Sequence, residues 1–265
     1  MTVGRTTWRW ARLYMDGSRI ASYASKFGPM GTEFEEVSSV TMADAVQGML
    51  LGQAKIPEPV LNGVFDNDTA GLFVLASPGS SLRQLMVAIG QNAEPAAGDR
   101  IWTAQLNQKT YTAAPAGGAV VANVGFSGWD AAATTLLYAE PWGTLLHADG
   151  AEMAANTAVG IDDWVGPTAQ PSATSTAKGG LFVYQVFSGN GTATLSVEDA
   201  AANTNPSFVA LSGATSGSIN CAVASGGMIA LGNTATVRRY LRFQIAFGTA
   251  TTVTFASGLL RNFGN

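Results

Sequence analysis

Short runs of small and β-branched residues, cut at close intervals by Gly, Pro and Asn, leave this chain little room to be anything but β. Gly191-Thr192-Ala193-Thr194-Leu195-Ser196-Val197 and Gly248-Thr249-Ala250-Thr251-Thr252-Val253-Thr254-Phe255 are typical. Thr and Val are stiff at χ1 and pack well on a pleated surface. Successive side chains of a strand point to opposite faces. Small β-formers on both faces suit a protein whose surfaces pack against copies of itself.

The first half opens with Trp8 to Met15, an alternating strand, and Asp16-Gly17 supplies a hairpin turn. Extended chain resumes from Ile20 to Phe27, and Glu33 to Val37 is a further strand. Thr41 to Leu50 reads as a short helix: Thr41 can cap it, and Ala43, Val46 and Leu50 fall on one side. Pro57 and Pro59 end regular structure after it. Val60 to Asn67, Leu72 to Leu75, Leu82 to Ile89, Ile101 to Lys109 and Ala119 to Phe126 are further strands. Gly/Pro punctuation at this spacing indicates a sandwich or barrel.

The second half repeats the pattern. Gly166 to Gly180 is rich in Pro, Ser, Thr and Gly and reads as a linker. Leu181 to Phe187 is a strand, Asn190-Gly191 a hairpin signal, and Thr192 to Asp199 the strand expected to pair with it. Phe208 to Leu211, Gly217 to Cys221, Val237 to Phe247 and Thr251 to Leu260 complete the set. Val237, Arg239, Leu241, Phe243 and Ile245 share one face, which is expected to be buried; Arg238, Tyr240, Arg242 and Gln244 share the other. The fold class is therefore all-β with one or two short helices, built as a barrel or sandwich from two β-rich halves. The expected boundaries are a first β domain over 1–128, a connecting segment over 129–180 and a second β domain over 181–265.

Charge is sparse. Only 12% of the residues are charged, against 47% hydrophobic, and the formal net charge is -4. Soluble domains usually carry about a quarter charged residues. Burying much of the surface in an assembly answers the solubility problem that so neutral a monomer meets. An acidic balance argues against tight phosphate binding. Arg5, Arg9, Arg12 and Arg19 crowd one end and Arg238, Arg239 and Arg242 one later strand, as solvated faces or intersubunit ion pairs. Met1 to Trp10 lacks the apolar core of a signal peptide, and no stretch approaches the ~20 apolar residues of a membrane span, so no membrane partner is expected.

Catalysis needs titratable groups that converge, and the inventory is thin. His147 is the single histidine and Cys221 the single cysteine, so a zinc site cannot be assembled and no internal disulfide is possible. No nucleophile elbow accompanies His147, which reads as a structural group at a strand end. Asp162-Asp163 and Asp66-Asn67-Asp68 could meet a hard cation but lack the calcium-loop spacing, and they read as solvated acids. Gly189-Asn190-Gly191 is a turn, not a dinucleotide fingerprint. No catalytic, cofactor-binding or metal site is expected, and the chain reads as a structural building block rather than an enzyme.

The order Ile20-Ala21-Ser22-Tyr23, Phe34-Glu35-Glu36-Val37, Asp44-Ala45-Val46-Gln47-Gly48 and Leu61-Asn62-Gly63-Val64-Phe65-Asp66 resembles the major tail (tail tube) proteins of tailed bacteriophages. Gly191 to Asp199 and Arg238 to Arg242 look like the β-domains of phage structural proteins. The resemblance implies an inner barrel or sandwich that joins neighbours into rings, stacked to make a tube through which genomic DNA passes during ejection. It implies a homo-oligomer, trimer or hexamer, that meets other virion tail proteins and is assembled in the host cytoplasm. Two tube-like halves would give trimers imitating hexamers; one would give hexamers with a decorating domain. The loop that reaches the next ring maps to 27–59, while 137–165 has no counterpart. The candidate interface residues are Glu35 and Glu36 with Arg238 and Arg242. A capsid decoration (cement) protein and a glycan-binding protein of a virion tip are the alternatives from the same composition.

Overall fold

The computed structural model describes residues 8–20, 24–31, 33–39, 48–55, 57–65, 82–91, 93–129, 142–149, 152–153, 161–162 and 175–262. In chain order its strands are β1 (Ala11–Met15), β2 (Ser18–Arg19), β3 (Ala24–Gly28), β4 (Glu33–Ser39), β5 (Gly48–Lys55), β6 (Val60–Val64), β7 (Leu82–Ile89), β8 (Arg100–Ala116) and β9 (Ala119–Trp129). They continue as β10 (Trp142–His147), β11 (Glu152–Met153), β12 (Ile161–Asp162), β13 (Gly180–Gly189), β14 (Thr192–Ala200), β15 (Val209–Asn220), β16 (Ser225–Ala230), β17 (Tyr240–Phe247) and β18 (Val253–Arg261). Among the described residues the helical elements are two three-residue 3-10 turns, Trp8–Trp10 and Asn205–Ser207. The all-β expectation holds. The expected helix from Thr41 to Leu50 does not survive at its C-terminal end, because Gly48, Met49 and Leu50 open β5 and pair with β4; residues 41–47 lie outside the described residues. Cross-strand pairing outweighs a weak helical periodicity. The expected strand from Leu72 to Leu75 also lies outside them.

One twelve-stranded sheet runs in the order β16-β13-β18-β10-β8-β7-β1-β2, with β9, β6 and β3 attached beyond β8 and β11 beside β18. It curls until its two ends nearly meet. The interior of this barrel is filled by Tyr14, Met86, Ala88, Ile101, Leu145, Leu181, Val183, Ala256 and Leu260. Both halves of the chain build it, and β10, from the segment expected to connect them, sits between β8 and β18.

The wall of β1, β7 and β8 turns its other side to β3, β6 and β9. Leu13, Leu85, Val87 and Trp102 pack there against Leu61, Val124 and Phe126. The wall of β13 and β18 turns its other side to the second sheet, β12-β17-β14-β15, where Phe182, Val186, Phe255 and Leu259 meet Leu195, Val197, Leu241, Phe243 and Ile245. The expected buried face of the strand near 237–245 is confirmed at Val237, Leu241, Phe243 and Ile245, while Arg239 is half-buried. Strands such as β7 and β18 are thus buried on both faces over most of their length because each divides two cores.

The seam between β2 and β13 closes through side chains rather than a ladder. The Gly17 N–H donates to Gln185 Oε1 at 2.5 Å, and Gln185 Nε2 donates to the Gln84 carbonyl at 3.1 Å. Gln84 Nε2 donates to Thr103 Oγ1 at 2.9 Å. Gly17 has φ +79°, and a Cβ there would run into the Ser225 nitrogen and the Val186 carbonyl oxygen. Nearby, Arg19 Nε donates to Asp149 Oδ2 at 2.8 Å while its guanidinium lies over the Phe187 ring.

The expected Asn190-Gly191 hairpin is corrected. β13 pairs with β16 and β18, whereas β14 pairs with β15 and β17, so the turn carries the chain from the barrel to the second sheet. The β15–β16 and β17–β18 connections cross between the same two sheets.

Candidate assembly surface

The four residues expected at an interface fall in two places. Glu35 and Glu36 lie on β4, whose only described pairing is with β5; together they form a two-stranded sheet of their own. Their side chains fall outside what is described. This hairpin is inserted between β3 and β6, which pair directly with each other. It occupies the stretch, 27–59, to which the tail tube resemblance maps a ring-to-ring loop.

Arg238 and Arg242 lie at the other sheet and already have carboxylates within the chain. Arg242 Nε donates to Glu198 Oε2 at 2.5 Å and its Nη1 to Asn205 Oδ1 at 2.5 Å, with the guanidinium over the Phe208 ring. Gln244 Nε2 donates to the same Glu198 oxygen at 2.9 Å. The register that sets Glu198 opposite Arg242 explains the pair. The Arg238 backbone N–H donates to Asp199 Oδ2 at 2.7 Å, and its guanidinium stands 3.5 Å from Asp199 Oδ1. Arg238 leaves 42% of its side chain exposed, Arg242 only 11%.

Two exposed features escaped the reading of strand periodicity. The first is the end of a hairpin. At its tip the β8–β9 hairpin leaves the core, and Thr112 to Val120 are exposed without interruption, while Ala122, Val124 and Phe126 of β9 stay buried and β9 stays paired with β6. The second is the sheet edge β15, a twelve-residue strand paired with β14 on one side and, among the described residues, with no strand on the other. Counting charge instead of periodicity would have found both: residues 110–129 and 200–237 contain no Asp, Glu, Lys, Arg or His.

The remaining candidates for chemistry are packed as structural groups. The His147 ring lies 4.6 Å from Phe243 and 4.3 Å from Phe255. Cys221 is buried, and that burial pushes its thiol pKa up, away from a reactive thiolate. Tyr14 is driven well above its ordinary value by burial first and by the neighbouring Asp149 carboxylate second. Asp162 lies in β12 opposite Tyr240; Asp66, Asp68 and Asp163 lie outside the described residues. Among the described residues no group of three or more His, Cys, Asp or Glu could hold a metal ion, and no helix is long and apolar enough to cross a membrane.

No protein-family model matches the sequence, and no curated protein does. Similar solved structures include the sheath/tube terminator of an extracellular contractile injection system in its extended state, at 7% identity and a TM-score of 0.38 over 48% of this chain and 94% of that one. They also include the Dit protein of phage SPP1, described as a paradigm of hub adsorption apparatus in phages infecting Gram-positive hosts. There the identity is 12% and the TM-score 0.32, over 96% of this chain and 99% of that one.

Proposed function

We propose that this chain is a structural subunit of a phage-type tail, a tube protein that stacks as rings around a DNA conduit and carries no catalytic centre. The observation that carries the reading is the β4–β5 hairpin, a sheet of two strands inserted in the stretch that the resemblance assigns to the contact with the next ring. An isolated two-stranded hairpin is at best marginally stable in water, so it gains most from a partner. The single barrel shared by both halves supports six-membered rings, with the β12-β17-β14-β15 sheet as decoration. The exposure of Arg238 supports a pairing with Glu35 or Glu36 of a neighbouring copy, whereas Arg242 is already engaged with Glu198. The net charge of -4 favours a lumen to which DNA does not adhere.

Electron microscopy of the purified full chain at rising concentration tests this. Rings or hollow tubes with a regular axial repeat are the expected result. A variant in which a short turn replaces residues 33–55, the β4–β5 hairpin, should melt like the parent and form no tubes. Tubes from that variant, or a parent that stays monomeric throughout, would overturn the reading.

A further inference from the structure

The outer face of the β3-β6-β9 layer lies open, and we infer that it receives the β4–β5 hairpin of a neighbouring copy. This contact rests on the assembly reading above and names the surface that meets the hairpin.

The inner side of the layer belongs to a core, with Leu61, Ala122, Val124 and Phe126 buried toward the β1-β7-β8 wall. The pairing register fixes what stands on the other side. Asn62 lies beside Asn123 and Val64 beside Val121, while Val60 follows in the next outward row. Lys26 on β3 lies beside Asn62. Val60 and Val64 are 38% and 53% exposed. An antiparallel sheet with one side in water normally turns polar residues outward. Here two of the three rows carry valine and the middle row carries neutral amides. Aliphatic side chains grouped on an open face mark a contact surface.

Charge and position select the occupant. Lys26 is the charge these rows carry, whereas Lys109 and Glu58 at the Val60 end pair with each other at 3.1 Å. The hairpin segment, residues 33–55, has four acids, Glu33, Glu35, Glu36 and Asp44, against one base, Lys55, a net of -3. An acidic ribbon thus meets a face whose own charge is positive, which favours this docking over a face-to-face pairing of two copies. The ribbon also brings Met49-Leu50-Leu51, and among the described residues its strands pair only with each other. It is inserted between β3 and β6, the strands that carry Lys26 and the two exposed valines. Each copy therefore offers a hairpin forward and a face backward, the heterologous arrangement that propagates along an axis. Arg238 belongs to the layer outside a different wall, β13-β18, so a hairpin that meets both surfaces lies between two copies of the next ring.

The test joins two substitutions at exposed positions, Lys26→Glu and Val64→Glu, to a direct search for the contact in the full chain. Thermal melting checks that each variant is folded. Both should associate at least about tenfold more weakly than the parent in sedimentation, since each sets an acid against the acidic hairpin. A carbodiimide, which condenses an amine with a carboxylate, is then applied to tubes grown from mixed unlabelled and 15N-labelled parent chains. Mass spectrometry should find Lys26 joined to Glu33, Glu35 or Glu36 of a different copy. If both variants assemble like the parent, or if Lys26 is joined only within its own chain or to other acids, the contact is wrong while tube formation by the parent stands. If the parent itself never associates, the assembly reading fails and takes this contact with it.

Discussion

Asp16-Gly17 and Asn190-Gly191 carry the same hairpin signal in sequence and do opposite things in the fold. At the first, Asp16 and Gly17 both take positive φ, 49° and 79°, and the chain folds back on itself with Met15 opposite Ser18. Two positive φ values define the tight turn whose twist matches paired strands. At the second only Gly191 is positive, at 57°. The Asn190 side chain is held elsewhere: Oδ1 accepts from the Thr251 N–H at 2.7 Å and Nδ2 donates to Thr251 Oγ1 at 2.8 Å. That turn is tied to the β17–β18 connection, and the two strands it joins part into different sheets. The pair teaches that a turn dipeptide specifies a reversal, while neighbours decide whether the reversed strands pair or stack.

Four experiments break or sharpen this contrast, beginning with the largest effect. Gly17→Val places a side chain against the backbone of Val186 and Ser225 at a strained φ. It should destabilise the fold by more than about 4 kcal/mol, and a melting temperature within a few degrees of the parent would refute the tight seam. Gln185→Leu leaves the Gly17 N–H and the Gln84 carbonyl without their bridge; a loss of about 2–4 kcal/mol in urea unfolding is expected. Hydrogen exchange should then quicken in β2 and β16 before β8 and β18, and uniform quickening would mean that the seam is not a separate weak point.

Asn190→Ala should cost about 1–2 kcal/mol, and Asn190→Asp, which keeps Oδ1, should recover part of it. If Asn190→Ala were silent, the tie to Thr251 would not be what directs the crossing. The smallest effect concerns pH. Tyr14 is the last residue but one of β1, beside the first turn, and its pKa is raised in the folded state. The folded protein therefore keeps a proton that the unfolded chain releases near pH 10. Stability contributed by the neutral hydroxyl is full below pH 10 and falls as pH rises toward the folded value, by about 1.4 kcal/mol per pH unit. Tyr14→Phe should flatten that slope between pH 10 and 11, and an unchanged slope would assign it to other groups.

Several elements were legible because local chemistry and final environment agree. β17 shows its buried Leu241, Phe243 and Ile245 as plain alternation, since one side of it faces a core and the other carries Arg242 and Gln244 against Glu198. The ion pairs were less legible. Sequence offers Arg242 many acids, and only the β14–β17 register chooses Glu198. Gly48 to Leu50 misled because Leu50 stands at helical spacing from Val46 and Ala43 in the sequence, whereas its pairing with β4 is not visible at short range.

Composition and periodicity alone determined that this protein is all-β, poor in titratable groups and free of charge over two long stretches, because those properties are sums over residues or repeats along one strand. Tertiary structure alone decided that both halves share one barrel, that Asn190-Gly191 crosses between sheets, and that two distant charge-free segments become a hairpin tip and an edge. Each of these depends on which strand lies beside which, and pairing between residues far apart in sequence is set by the joint packing of three cores, not by any window of the chain.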